Sequence, residues 1–354
     1  MKKKVCVIFG GESTEYEISL KSAYSILQNI NKDKYDVIAI GITRDGKWYL
    51  YDGSYDLIPE NKWYNETLRP ISIMHGCKKP SAAVFNGDGT YAKIDFDIAF
   101  PVLHGINGED GTIQGLFELA GIKYVGTGVI TSCIGMDKTF AKIIFKNAGI
   151  NQADWVVIEK HEMPDVDKKI AEIESELGYP VFIKPANAGS SIGIGKAKNR
   201  DELVKAVNEA FKIDKKVLVE EFLKGHEVEC AVLGNKGNIK ASCVGEIVAS
   251  QDFYTYDAKY SGDCPSTLYI PAKISEKHSE EVRKGAVKAF NALDGKGLSR
   301  VDFFVDDEND KVYINEINTM PGFTNISMYP KLFEASGIKY SELIDKLIEI
   351  GFED

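Results

Sequence analysis

The chain has 354 residues, 44% of them hydrophobic and 27% charged, with a formal net charge of −10. That length is more than one ordinary core organises, so two or three domains are expected. The acid excess is spread along the chain, which argues against nucleic acid as a partner because that needs a basic footprint. No stretch approaches the roughly 20 apolar residues of a membrane span, so no membrane association is expected.

Met1-Lys2-Lys3-Lys4 leads into a short apolar run, residues 5–9, that Gly10-Gly11 ends. A secretory h-region is longer and leads to a small-residue cleavage site, so a cytoplasmic protein is expected. The six cysteines (6, 77, 133, 230, 243, 264) form no C-x-x-C pair and no zinc spacing with histidine, and read as reduced thiols.

The run 5–9 suits a buried parallel strand. The turn Gly10-Gly11-Glu12-Ser13 follows, and apolar residues then recur at helical spacing over 17–30. Residues 35–42 form the next strand and Thr43-Arg44-Asp45-Gly46 a hairpin turn. Residues 52–90 are turn-rich and resist placement. Another strand, 96–103, ends at His104-Gly105. This alternation predicts a doubly wound parallel sheet, an α/β layer that binds ligands at its strand C-termini. Near 124–127 the pattern changes. Residues 137–147 are helical, 151–158 open a new unit, and 181–185 form a buried strand running into Ala188-Gly189-Ser190-Ser191-Ile192-Gly193. A strand at 217–221 and a final helix at 340–350 follow. Boundaries near 125 and 218 are expected, giving units 1–125, 126–218 and 219–354, the last with α+β character.

Residues 299–305 and 311–318 both alternate like strands, with the charged turn 306–310 between them. If they pair as a hairpin, one reasonable register sets Asp302 opposite Glu316 and Arg300 opposite Asn318. Two directly opposed carboxylates repel. A hard divalent cation on oxygen ligands would offset that, and Mg²⁺ typically takes one or two carboxylates plus substrate phosphates. The turn Thr319-Met320-Pro321-Gly322 then brings backbone N–H groups near the metal site, as an oxyanion binder would.

No Walker A motif is present, and the nearest match, residues 189–196, has the wrong spacing. Gly189-Ser190-Ser191-Ile192-Gly193 still suits wrapping a phosphate with N–H groups and hydroxyls, and Lys184 at the end of the preceding strand could reach the same phosphates. The carboxylates spaced through 220–227 could meet an adenine amino group and ribose hydroxyls.

Together these pieces resemble the ATP-grasp superfamily, and within it the D-alanine–D-alanine ligases. Six segments stand in the family order over nearly the whole chain: 10–19, Leu103-His104-Gly105 with Gly108-Glu109-Asp110-Gly111, Met136-Asp137-Lys138, Lys184-Pro185 with Gly189-Ser190-Ser191, 254–260, and 300–328. The resemblance implies an ATP-grasp fold behind an N-terminal substrate-binding domain. It implies two Mg²⁺ ions on Asp302, Glu316 and Asn318, with Mn²⁺ as a substitute. Lys138, Lys184, Ser190 and Ser191 would bind the phosphates of ATP, and Glu220, Leu223 and Glu227 its adenine and ribose. Glu15 would anchor the first D-alanine's ammonium, with His104 nearby. Arg300 and the Gly322 amide would stabilise the tetrahedral intermediate, and Ser327 and Met328 would meet the second substrate. Ser190 and Tyr260 would link with Glu15 to close a lid that also carries Lys259. A homodimer acting on D-alanine and ATP is implied. Related ligases use D-serine or D-lactate second, or other carboxylate–amine pairs. The Lys259-Tyr260 pair and the apolar Met328 favour D-alanine.

Overall fold

The computed structural model describes residues 2–190, 192–248 and 267–353. The expected lid residues Lys259 and Tyr260, and Ser191 of the phosphate loop, lie outside the described residues.

β1 (Lys3–Gly10) runs parallel to β2 (Tyr35–Ile42) and to β7 (Ile98–Val102), and β3 (Trp48–Tyr51) adds an antiparallel edge, giving the order β3-β2-β1-β7. The unbroken apolar run of β1 has a direct cause. Val5, Val7 and Phe9 face one core while Cys6 and Ile8 face another. Helix α1 (Tyr16–Asn29) covers the first face with Leu20, Ala23, Ile26 and Leu27; α2 (Thr112–Ala120) covers the second with Ile113, Phe117 and Ala120. This is the doubly wound layer anticipated from sequence. The stretch that resisted placement contributes β4 (Ile71–Ile73) and β5 (Ser81–Phe85), which join β6 (Tyr91–Asp95) in a small antiparallel sheet. Strands of three to five residues are too short to show a period.

After α3 (Val129–Met136) and α4 (Lys138–Asn147) comes a second antiparallel sheet. It comprises β8 (Trp155–Glu159), β9 (Val181–Pro185), β10 (Gly195–Ala197) and β11 (Lys216–Glu221), in the order β10-β9-β11-β8. Residue 218 therefore falls inside β11, which pairs with both β8 and β9. We propose that this unit ends in the turn after Glu221. The third large sheet has the order β14-β13-β12-β15-β16, from β12 (His226–Gly234), β13 (Lys240–Val248), β14 (Thr267–Tyr269), β15 (Gly297–Asp306) and β16 (Lys311–Asn318).

That sheet also has two covered faces. Val228, Cys230, Val301 and Phe303 pack against the helix Glu276–Ala292. On the other side Ala231 and Leu233 share a core with Val5, Val7 and Phe9. The closing helix Tyr340–Phe352 places Leu343, Ile344, Leu347 and Ile348 in that same core, so the end of the chain packs on the N-terminal sheet.

Candidate active site

One cavity of about 660 Å³ is lined from all three large sheets and their connecting segments, and every described residue expected to act borders it. Its floor is the β15–β16 hairpin. The hairpin's open end has the register offered by the sequence as a reasonable one: Arg300 opposite Asn318, and Asp302 opposite Glu316. Glu229 on β12 stands opposite Asp302 on the other side, so three carboxylates form a row across three adjacent strands. A bulge between Asp302 and Phe303 moves Phe303 opposite Ile314. The extra residue is Asn315. The bulge resets the parity, so Ile314 and Ile317 both join the core, also forming part of the cavity wall, while Asn315, Glu316 and Asn318 supply its polar groups.

Arg300 neutralises part of that row. Its Nε and Nη2 donate to the two oxygens of Asp302 at 2.8 and 2.7 Å, and Nε lies 3.1 Å from Glu229 Oε2. Burial opposes a charged guanidinium here, but Asp302 and Glu229 outweigh it and hold the Arg300 pKa well above its ordinary value. Asn318 Nδ2 also donates to Asp302, at 3.0 Å.

Helix α4 is capped by Asp137, whose carboxylate accepts from the Thr139 and Phe140 amides. The cap aims Lys138, the first helical residue, across the cavity. Its Nζ donates to Ala188 O at 2.8 Å and lies 3.5 Å from Glu316 Oε2. Lys184 Nζ meets Asn315 Oδ1 at 2.9 Å and Glu220 Oε2 at 2.6 Å. Phe182 and Phe222 stack nearby with ring centroids 5.7 Å apart, and both border the cavity beside Leu223 and Glu227.

Glu15 immediately precedes α1 and is nearly buried. It receives the hydroxyl of Ser190, a residue held at φ +50°. Two glycines make room for it. A Cβ at Gly105 would stand 2.5 Å from Glu15 Oε2, and one at Gly189 would stand 2.6 Å from it. Beyond Glu15 the turn carrying Gly322 is tied to the N-terminal unit. His104 Nδ1 donates to Met320 O at 2.9 Å, and its Nε2 takes the hydroxyl of Ser22, 3.2 Å away. Burial holds the His104 pKa below its ordinary value despite the charge of Glu15, consistent with a neutral ring. The Ser22 oxygen in turn accepts the Phe323 amide at 3.0 Å. His104 thus borders the cavity with both ring nitrogens already bonded to protein. Ser327 accepts the Thr324 amide at 3.0 Å, and the tip of Met328 rests over Gly245, where a Cβ would come within 2.3 Å.

Sequence reasoning missed three residues that the geometry brings in, Lys142, Glu229 and Asn315, and gave no role to a fourth, Glu109, which it named only within a motif. Glu109 accepts the amides of Gly105 and Met320 at 3.0 Å each. Burial, and then the charge of Glu15, push its carboxyl up to about 8. Between its ordinary value and about 8 the folded chain therefore keeps a proton that the unfolded chain has lost, so folding stability falls as pH rises through that window. Glu109→Gln is expected to flatten the decline, whose limiting slope is about 1.4 kcal/mol per pH unit for one proton. Chemical denaturation from pH 5 to 8 measures it; parallel curves for the two proteins would refute the assignment.

Two antiparallel sheets closing on one cavity behind a doubly wound domain define an ATP-grasp fold. The family model described as "D-ala D-ala ligase N-terminus" matches residues 4–127, and that described as "D-ala D-ala ligase C-terminus" matches 144–349. The D-alanine–D-alanine ligase of Acetivibrio thermocellus is 53% identical, covering 99% of this chain and 96% of that protein. Among solved structures, the VanG D-Ala:D-Ser ligase of Enterococcus faecalis matches with a TM-score of 0.90 at 42% identity, covering 99% of this chain and 100% of that one. The D-alanine–D-alanine ligase of Coxiella burnetii matches at 0.82 and 36%, covering 99% and 94%. This chain belongs to the D-alanine–D-alanine ligase family.

Proposed function

We propose that this protein joins two D-alanines into D-alanyl-D-alanine with cleavage of ATP to ADP and phosphate, supplying the dipeptide for peptidoglycan precursors. The observation that carries the reading is the convergence of Glu15, Lys138, Lys184, Arg300 and the Asp302–Glu316 pair, drawn from three units, on one cavity. A carboxylate is a poor electrophile. The γ-phosphoryl group of ATP first passes to a carboxylate oxygen of D-alanine, with Lys138 and Lys184 positioning and neutralising the phosphates. Glu15 holds that substrate's ammonium. The amine of the second D-alanine attacks the acyl carbon and loses a proton. Arg300 and the Gly322 amide meet the oxyanion, and phosphate leaves as the amide bond forms. Ser190, bonded to Glu15, helps to exclude water that would hydrolyse the acyl phosphate.

Asp302, Glu316 and Asn318 fit a pair of Mg²⁺ ions, with Mn²⁺ as a substitute. The donors are oxygens, and two are carboxylates directly opposed across a ladder, which need a cation between them. Among the described residues no group of three or more His, Cys, Asp or Glu side chains could hold a metal. Substrate phosphates would therefore complete the coordination, and the ions would neutralise those phosphates. Phe182, Phe222, Leu223, Glu220 and Glu227 would surround the nucleoside, and Ser327 and Met328 the second amino acid. Dependence on ATP supports a cytoplasmic site of action, and the family resemblance supports a homodimer, which sedimentation would measure.

The printed activity of the Enterococcus faecalis structure makes D-serine the competing second substrate. Met328, apolar and withdrawn over Gly245, supports a methyl rather than a hydroxymethyl neighbour, a choice worth only about 1–3 kcal/mol. Phosphate release with ATP and Mg²⁺ tests the reading. D-Alanine alone is expected to sustain turnover and to yield the homodipeptide. Faster turnover on adding D-serine would assign the mixed dipeptide. Turnover only with a different acid would assign another carboxylate–amine ligase.

A further inference from the structure

Behind the cavity wall lies a lysine that the proposed chemistry does not use. Lys142 sits one helical turn after Lys138 on α4 and does not border the cavity. Its side chain is 3% exposed, and Nζ meets Glu220 Oε1 at 2.6 Å and Ala153 O at 3.3 Å, with the Trp155 ring 5.2 Å away. The other oxygen of Glu220 is held by Lys184 at 2.6 Å. One buried carboxylate is thus shared by two lysines, one hidden and one facing the cavity. An isolated charge in such a place is costly, and a buried pair that loses one partner leaves the other uncompensated.

We propose that Lys142 is a positioning residue for the nucleotide: a permanent counter-ion to Glu220 that leaves Lys184 able to turn from Glu220 to a phosphate oxygen. Without Lys142, Lys184 would be the sole cation for a buried carboxylate and would be held in place by it. With Lys142 behind, the carboxylate stays paired when Lys184 swings into the cavity, and Asn315 Oδ1 gives the moving ammonium a second resting point at 2.9 Å. The charge states agree with this geometry. Burial alone would raise the Glu220 pKa, but the two lysines hold it down at about 2. Burial pulls the Lys142 pKa down despite Glu220 beside it. Burial acts in the same direction on Lys184, where Glu220 outweighs it and leaves the pKa raised. Helix geometry supplies the arrangement: residues four apart share a face, so a single helix offers one lysine to the cavity and one to the wall behind it.

The inference rests on the proposed ATP site, and its test keeps the two apart. Affinities of ADP and adenosine, measured by calorimetry with Mg²⁺ on the whole protein, give a ratio that cancels adenine recognition and reads the phosphates alone. The wild-type protein is expected to prefer ADP strongly; equal affinities would overturn the ATP site itself. Lys142→Met is expected to cut that preference at least tenfold, and Lys142→Arg to restore most of it. Lys142→Met/Glu220→Gln, which leaves no carboxylate buried without a cation and keeps Asn315 beside Lys184, is expected to fold and to recover the preference to within about threefold of wild type, because an amide does not hold the Lys184 ammonium as a carboxylate does. A merely structural lysine would lower the melting temperature and leave the ratio unmoved. A wild-type ratio in Lys142→Met overturns the inference. Should that variant not fold, a double variant as impaired as a Lys184→Met control overturns it equally.

Discussion

Glu316→Ala is expected to reduce dipeptide synthesis by about a thousandfold or more, the scale on which loss of electrostatic stabilisation acts at a phosphoryl-transfer centre. Glu316 faces Asp302 across the ladder and lies 3.5 Å from Lys138, so its loss would take one carboxylate from the proposed metal site and a partner from Lys138. The fold should be unaffected, because β16 is anchored by Ile314 and Ile317 in the core. The variant removes one carboxylate from a row of three, so without metal it should be at least as stable as the wild type. Turnover within about tenfold of wild type would contradict the metal assignment. Melting in EDTA checks the stability sign, and a marked loss there would show that Glu316 is structural.

Arg300→Met should lower kcat by about a hundred- to a thousandfold with little change in KM for ATP, the signature of losing an oxyanion partner. Its effect on stability has the opposite sign. Arg300 is the cation between Asp302 and Glu229, whose side chains are each 5% exposed. Removing it leaves neighbouring buried carboxylates without their shared counter-ion, at a cost of about 3 kcal/mol in the metal-free protein, the lower end for breaking a buried pair. Urea denaturation in EDTA measures this. An Arg300→Met protein as stable as wild type would mean that the row is neutralised by other groups, and one with wild-type kcat would remove Arg300 from the chemistry. The paired signs, one anion lost harmlessly and one cation lost at a cost, make the two variants a joint test of the electrostatics of the floor.

Much of this site was legible along the chain because its parts are local. Alternation over 299–305 and 311–318, with a charged turn between, makes a register with Asp302 against Glu316 a reasonable one, since side chains in a strand repeat every two residues. The bulge at Asn315 was not legible. It breaks that period, and only the core positions of both Ile314 and Ile317 reveal it. The i, i+4 pair Lys138 and Lys142 was visible as spacing, but nothing in the spacing says that the second lysine faces a buried glutamate from another unit. Glu109 was read as part of a motif, yet its bonds to Gly105 and Met320 join segments over 200 residues apart. His104 was expected beside the first substrate; the structure gives both of its nitrogens to Met320 and Ser22.

The hairpin on the cavity floor, the small-residue turn after β9 and the doubly wound layer could be read from the sequence itself, because each follows from a short-range period or turn. Tertiary structure decided the rest. It placed the expected boundary at 218 within β11, sent the last helix back onto the first sheet, cradled Glu15 between Gly105 and Gly189, and set Lys142 behind Glu220. Those features depend on which distant surfaces exclude water together and which buried charges then find partners. The Asp302–Glu316 pair and Arg300 on the same strand face could be read from the sequence, while Lys138 beside Glu316 and the lysines around Glu220 took their places only when separate sheets and helices closed on one cavity.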